Sequence, residues 1–418
     1  MNPEFSIVIP TIDNLSDVQK IIARINCQSL LPHEIVIADS SASNEIEEGI
    51  HVIKSSVPIN YLRVGRAYPF DRFLNYLFSL PFLSQFKSRY PAGRAFPYEA
   101  TNAGSAIAKS EWLAFLDATT IPSDKWLEDY WHVLKSGQYD VVFGNTKYLA
   151  TSRFQKILRA STYGRLGHES APGSIMKKSI FLDGYMIQEG VRSGGDVAWK
   201  IDIKNSLRYF LPNEHYLTYS NLSLKILPTL KKFFIYQMYG SLLNIQNNIK
   251  DLYFGLALML SLIILPKWNY IVGWESAFFI PHITKLIFIS ILLIAGTTFF
   301  INRVLLRGSP TNSFFMNGLK FVALLITSYS VFRWNDVAAN WVEDSIWYVP
   351  HITKIFLLTI CVLSFVYRGM YFPMKHGIKP SYLFPFRWIL VGALGIVLDM
   401  VKAPGYLLGA IFAPFIRR

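Results

Sequence analysis

Three short apolar runs, each closing on a proline or an aspartate, constrain this chain most. Phe5 to Ile9 (FSIVI) leads into Pro10 and Thr11, Glu34 to Ala38 (EIVIA) into Asp39, and Trp112 to Leu116 into Asp117. Each run has the length and β-rich composition of a buried strand. Between the first two, Ser16 precedes Val18, Ile21, Ile22 and Ile25, a helical spacing that runs to about Gln28. Asn60 to Val64 and Asp140 to Gly144 read as further strands, and Glu99 to Ala108 as a small-residue helix. Strands alternating with helices predict a largely parallel sheet with helices on both faces. Such sheets bind ligands beyond the carboxyl ends of their strands, where Asp39 and Asp117 fall. After Asp117, Pro122 stops the extended segment, and Ser123 or Asp124 can cap a helix starting near Lys125 and Trp126. An aspartate at such a turn also serves simply to cap or solvate it, so position alone leaves both roles open.

Composition divides the chain. Only 17% of its 418 residues are charged, against roughly 25% in an average soluble protein. The deficit lies beyond about Leu230, so the expectation is an α/β head, residues 1–228, followed by an all-α membrane domain. Leu230 to Asn247 has a basic edge and an aromatic body, which predicts an interfacial helix over 229–250. Residues 251–370 then hold about four spans, near Leu252–Leu265, Ile283–Ile301, Phe315–Phe332 and Ile352–Val366. The loop Asn269 to His282 lacks Lys and Arg, whereas Arg303, Arg307, Lys320 and later Arg368, Lys375, Lys379 and Arg387 cluster in others. That asymmetry predicts a multi-pass protein with its head in the cytoplasm. Residues 380–418 carry an apolar stretch interrupted by glycines, Asp399, Lys402 and Pro404. It is expected to lie along the membrane or re-enter it, with a fifth span as the alternative.

The net charge of +13 suits anionic lipid or a phosphorylated substrate. No helix-turn-helix, zinc-finger or RNP pattern is present, so nucleic acid is not expected as a partner. Cys27 and Cys361 make no disulfide framework, in keeping with a reducing compartment for the head. Phe5 to Pro10 is too short for a signal peptide, and Glu4 precedes it in place of a basic flank. Residues 67–91 read as an aromatic insertion, suited either to a membrane interface or to a hairpin packed on the sheet. Ala171 to Ile180 reads as a Gly-Ser turn before a basic helix start. In Arg192 to Lys200 (RSGGDVAWK), Gly194 and Gly195 permit close ligand approach and place Asp196 at a helix beginning, with Trp199 on the same face. An N-cap is the structural alternative for Asp196.

Taken in order, SIVIPT, EIVIADSS, WLAFLDATTIPSDKWL and SGGDVAWK resemble the family 2 glycosyltransferases over about residues 4 to 225. The tail resembles members with carboxy-terminal membrane helices. The resemblance implies a GT-A nucleotide-diphosphosugar fold and a role for each matching position. Pro10 and Thr11 would line the nucleotide pocket, and Asp39 would read the base, usually a uracil, by accepting from its imide N–H. Asp117 would be the first acid of the Asp-x-Asp signature, which holds ribose and Mg2+ or Mn2+ on the diphosphate. The metal neutralises charge gathering on the departing nucleoside diphosphate. Asp196 would be the base that deprotonates the acceptor hydroxyl.

Departures from the pattern matter equally. Asp117-Ala118-Thr119 lacks the second acid, and Thr119 is a weaker metal ligand than a carboxylate. Gly195 stands where a Glu usually precedes the base, and Arg94 is the nearest candidate for an arginine often found before the position of Asn102. Lys177, Lys178 and Trp199 are candidates at the acceptor or phosphate. Gln237-Met238-Tyr239-Gly240 replaces the Gln-x-x-Arg-Trp of processive synthases, which argues for nonprocessive transfer. The expected donor is a nucleotide-diphosphosugar, with a UDP-sugar favoured. The acceptor is either a lipid-linked or membrane-proximal glycan or a polyprenyl phosphate, for which Lys231, Lys232, Arg303 and Arg307 could form a basic pocket. A degenerate homologue that binds nucleotide sugar without turnover is the non-enzymatic alternative.

Overall fold

The computed structural model describes residues 4–65, 95–214, 216–243, 245, 267–279 and 362–416. The aromatic insertion at 67–91 and Arg94 lie outside them, as do the expected spans apart from residues 362–366. The chain forms two compact units, Met1–Ile245 with Val366–Arg418, and Gln246–Phe365. In the second, the described residues include a helical turn, Trp268–Val272, with the Trp268 indole N–H donating to the Phe278 carbonyl at 2.6 Å.

The first unit is built on a mixed sheet. Its strands are β1 (Phe5–Thr11), β2 (Glu34–Asp39), β3 (Ile59–Arg63), β4 (Trp112–Phe115), β5 (Thr120–Pro122), β6 (Val141–Tyr148), β7 (His168–Lys177), β8 (Tyr209–Phe210) and β9 (Leu217–Tyr219). They run in the order β3-β2-β1-β4-β7-β6-β9-β5, with β8 against β6. The half from β3 to β4 is parallel, as the alternation of strands and helices requires. Beyond β4 the sheet departs from the parallel expectation. β7 runs antiparallel to both β4 and β6, and β5 antiparallel to β9. The segment read as a Gly-Ser turn is inside β7. Gly173 takes φ 90 there, and the β6–β7 register shifts between Val142 and Gly144, so the residues that signal a turn instead form an irregularity within a long strand.

Alternate side chains of the strands feed two cores. Phe5, Ile7, Ile9, Ile35 and Ile37 pack with Val18, Ile21, Ile22 and Ile25 of α1 (Leu15–Ile25) and with Trp126, Leu127 and Tyr130. The opposite residues, Val8, Val36, Leu113 and Phe115, pack with Phe143, Trp199 and Ile203. Helix α1 starts one residue before Ser16, and Asn14 is its cap, accepting from the Asp17 N–H at 3.2 Å. Further helices relevant below are α2 (Pro97–Ile107), α3 (Trp126–Leu134), α4 (Arg153–Thr162), α5 (Gly195–Ser206), α6 (Ile226–Leu242) and α7 (Arg387–Ile416).

Helix α6 belongs to the packed unit, where sequence reading placed an interfacial segment. Its Phe234, Ile235, Met238, Tyr239 and Leu242 bury with Phe96 and Val191 of the head. Helix α7 lies along it at close range, because Gly405 and Gly409 meet the carbonyl oxygens of Phe234 and Met238 where a Cβ would not fit. The interruptions expected to break this stretch are absorbed into a continuous helix of 30 residues. Asp399 is neutralised by Arg368 at 2.9 Å and Lys402 at 3.1 Å, all three largely buried. Among the described residues, Arg387–Tyr406 is the one segment long and apolar enough to cross a membrane. Asp399→Ala removes the only carboxylate of this ion triad and leaves two cations without their partner. It is expected to lower stability by on the order of 3 kcal/mol, read by urea titration of the full chain in detergent.

Candidate active site

The site forms where β4 ends. The Leu116 N–H donates to the Val8 carbonyl at 3.0 Å and keeps the chain in the sheet, and Asp117 is the first residue beyond it. The turn closes at once, with the Thr120 N–H donating to the Asp117 carbonyl at 2.9 Å. Burial, and after it the Asp196 carboxylate, push the Asp117 carboxyl up to about 6 against the opposing pull of the Lys232 ammonium. Three charged groups far apart in sequence therefore share one electrostatic site.

Asp196 reaches it from the first turn of α5, where the helix dipole favours a negative charge. The approach depends on two glycines. Gly194 takes φ 86, and a Cβ on Gly195 would stand 2.8 Å from the Tyr98 ring. The Glu common at that position has no room here. Instead the Tyr98 hydroxyl donates to Asp196 Oδ1 at 2.9 Å. Burial and the Asp196 charge hold the Tyr98 phenol well above its ordinary range, so it remains a donor. Helix α2, which carries Tyr98, is tied to the loop before α5. Asn102 Nδ2 donates to the Ile187 carbonyl at 2.7 Å, the Ile187 N–H donates back to Asn102 Oδ1 at 3.1 Å, and the Gly190 N–H donates to Glu99 at 2.5 Å. Tyr98→Phe is expected to lower kcat about tenfold with donor KM unchanged, because a hydrogen bond to a charged group is lost. Steady-state kinetics check it.

Aromatic side chains wall the other side. Tyr148 and Tyr163 stack with centroids 3.8 Å apart, and Tyr219 meets Tyr148 edge-on at 5.2 Å. Ser220, next to Tyr219, donates to the Thr119 carbonyl through N–H and hydroxyl at 3.3 and 3.1 Å. Lys232 of α6 lies over the rings of Tyr219 and Tyr236 at 5.6 and 5.4 Å.

Other candidates have different surroundings. Thr11 and Ser40, at the ends of β1 and β2, hold buried hydroxyls without a hydrogen-bond partner among the described residues, beside Pro10. Asp39 is fully buried. Its carboxylate accepts from the Ser41 N–H at 2.9 Å, the Ser41 hydroxyl at 2.5 Å and the Tyr61 hydroxyl at 2.9 Å, so it is turned to protein groups rather than to an open pocket. Lys177 pairs with Glu111 at 3.1 Å and covers the Trp112 ring, while Lys178 donates to the Ala108 carbonyl. Both stand at the start of β4, the opposite end from Asp117. Trp199 is core, its indole N–H donating to the Tyr185 carbonyl at 2.6 Å. Tyr98 and Tyr219 carried no sequence signal, since isolated tyrosines have no spacing to read. Lys232 stands in the sequence as part of a basic edge and as a candidate for an acceptor-phosphate pocket, with nothing local to place it by Tyr219.

Among the described residues no three carboxylate, His or Cys groups gather as a metal cage. Asp117 alone fits the looser arrangement in which a divalent cation takes one carboxylate and completes its shell with substrate phosphates and water.

The sequence model of the family described as Glycosyl transferase family 2 matches residues 90–186, which include Asp117. No curated protein matches the chain. Among solved structures, S. aureus TarS 1-349 in complex with UDP is 13% identical, with 57% of this chain and 64% of that one covered and a TM-score of 0.36. The match thus spans just under two thirds of that TarS chain. The same protein in complex with UDP-GlcNAc is 12% identical over 91% of each chain, with a TM-score of 0.38. The mannosyltransferase PcManGT from Pyrobaculum calidifontis, in complex with GDP-Man and Mn2+, is 13% identical over 97% of this chain and 88% of that one, with a TM-score of 0.43.

Proposed function

We infer, from the family 2 glycosyltransferase match over residues 90–186 and the mixed sheet around it, that the protein is an inverting, nonprocessive transferase of GT-A fold. It moves a sugar from a nucleoside diphosphosugar to a hydroxyl of a lipid-linked or membrane-proximal glycan. The observation that carries the reading is Asp117 at the carboxyl end of β4 within the electrostatic reach of Asp196, which Tyr98 fixes by a hydrogen bond at 2.9 Å. In this reading Asp117 receives the ribose and diphosphate, and Thr11 and Ser40 offer hydroxyls to the nucleoside. Asp39 acts indirectly, by holding the Ser40–Ser41 loop. Asp196 takes the proton of the acceptor hydroxyl. The new bond from that oxygen to the anomeric carbon forms as the carbon–phosphate-oxygen bond breaks, and the electron pair leaves with the nucleoside diphosphate. A divalent cation, held by Asp117 and the diphosphate, would neutralise part of the charge on that leaving group. The apolar Arg387–Tyr406 segment and the low charge of the tail support a membrane setting, which we extend to several spans with the head in the cytoplasm.

A polyprenyl phosphate acceptor is the second reading. Its phosphate oxygen is already anionic near neutral pH and asks for no base, so an aspartate held by Tyr98 favours the hydroxyl acceptor. The test is transfer by the full chain in lipid nanodiscs. UDP- and GDP-sugars are supplied singly with a membrane lipid extract, once with Mn2+ and once with a chelator. Labelled lipid or glycan is the expected result. Nucleotide binding with no transfer under any of these conditions would overturn the enzymatic reading in favour of a binding homologue.

A further inference from the structure

We propose that Lys232 binds the diphosphate of the donor and serves as a resident positive charge for the departing nucleoside diphosphate. The proposal rests on the transferase reading above and assigns it a residue outside the family match, on helix α6.

The ammonium of Lys232 is half-buried between two aromatic faces, Tyr219 at 5.6 Å and Tyr236 at 5.4 Å. Among the described residues it has no carboxylate within ion-pair distance, whereas Lys402, Lys204 and Lys177 each have one. A cation over ring faces is attracted but not neutralised, and a partly desolvated charge without a counter-ion favours an anionic ligand. The place is also specific. Tyr219 is paired with Thr120 in the β5–β9 ladder, and Ser220 is bonded to Thr119, so one of the two rings beneath Lys232 stands on the strand paired with the segment that follows Asp117. The Lys232 charge reaches Asp117 itself.

The same turn explains why a lysine belongs there. Where a second acid would add negative charge, this chain has the neutral Thr119. The turn therefore presents one carboxylate, and α6 brings one ammonium to it. A diphosphate arriving beyond β4 meets a fixed cation, whether or not a divalent ion accompanies it. Helix α6 is held in position by two contacts independent of any ligand: Phe96 against Tyr239 at 5.9 Å, and Gly405 and Gly409 of α7 against its backbone.

The experiment is calorimetric titration of UDP and GDP into the full chain in nanodiscs, with EDTA present, for the wild type, K232M, K232Q and K232R, and for the wild type again with Mn2+ restored. Affinity for the nucleotide that the wild type binds is expected to fall about 10–100-fold in K232M and K232Q, the worth of a charged hydrogen bond. K232R is expected to stay within about threefold of wild type, and uridine or guanosine affinity to be the same in all four. A K232M or K232Q that folds and binds UDP or GDP as tightly as wild type overturns the proposal. So does a loss restricted to nanodiscs doped with polyprenyl phosphate, which would assign Lys232 to the acceptor. A wild type that binds a nucleotide with Mn2+ restored but not in EDTA overturns the proposal alone, and one that binds neither nucleotide in either buffer overturns the transferase reading and the proposal with it.

Discussion

Asp196→Asn is expected to reduce sugar transfer by about 10²–10⁴-fold while nucleotide affinity changes little, because the substitution keeps the shape of the side chain and removes a base. The structure makes this variant unusually clean. The asparagine oxygen can still accept from the Tyr98 hydroxyl, so α2 and the loop before α5 keep their tie. Gly195 needs the Tyr98 ring where it is, and that packing is undisturbed. The effect should therefore fall on kcat, with KM for the donor nearly constant. Single-turnover transfer with a labelled donor measures it, and the outcome also separates the acceptors. A hydroxyl acceptor loses its proton acceptor and stalls. A phosphate acceptor arrives ionised, so turnover close to wild type would remove Asp196 from the mechanism and move the assignment to a polyprenyl phosphate.

The parts of this site that could be read ahead of the structure are those set by local pattern. Ile7, Val8 and Ile9, then Val36 and Ile37, are buried on both faces of a parallel sheet, so their runs are continuous and end abruptly, and Asp117 falls at such an end. The Gly194-Gly195 pair announces an unusual backbone before Asp196, and Gly194 takes φ 86 while Gly195 leaves room for the Tyr98 ring. What was not legible depends on pairing across long sequence distance. Nothing local tells that β7 turns back against β4, and that reversal is what sends Lys177 and Lys178 to the far end of the strand. Trp199 shares the Asp196 helix, but a helix turns the two side chains to different surroundings, and Trp199 closes the core against Phe115 and Phe143. The tail gave the largest difference. An aromatic helix with a basic edge has the composition of a membrane-surface element, and the same residues equally suit a helix that buries Phe234 and Met238 against the head while extending a lysine into the site. Composition fixes that such a helix is amphipathic; the partner for its apolar face is decided by the fold.

Asp117→Asn is expected to make the protein more stable at neutral pH and worse at binding its donor, two effects of opposite sign from one carboxyl group. Burial and the Asp196 charge raise Asp117 from 3.8 to about 6. Between those values the folded chain holds a proton that the unfolded chain has released. Stability therefore falls as pH rises through this window, and above about 6 the full penalty of the ionised form is present. A shift of about two units, in which the attraction to Lys232 is already included, corresponds to at most about 3 kcal/mol. Urea titrations of nucleotide-free, metal-free protein should show Asp117→Asn more stable than wild type at pH 7.5 and the two nearly equal below about pH 4. Donor affinity should move the other way. The amide offers a neutral oxygen to ribose and to any cation on the diphosphate, so UDP or GDP binding at pH 7.5 should weaken about tenfold. Wild-type binding should itself decline as pH drops below about 6, where Asp117 takes up its proton. A variant no more stable than wild type at pH 7.5 would mean that Asp117 is not a charge held against its own solvation. If it is more stable and binds nucleotide normally, the charge is held for something other than the donor. The two measurements together ask whether the head keeps an unfavourable carboxylate at the end of β4 because a diphosphate, and the cations around it, relieve it on arrival.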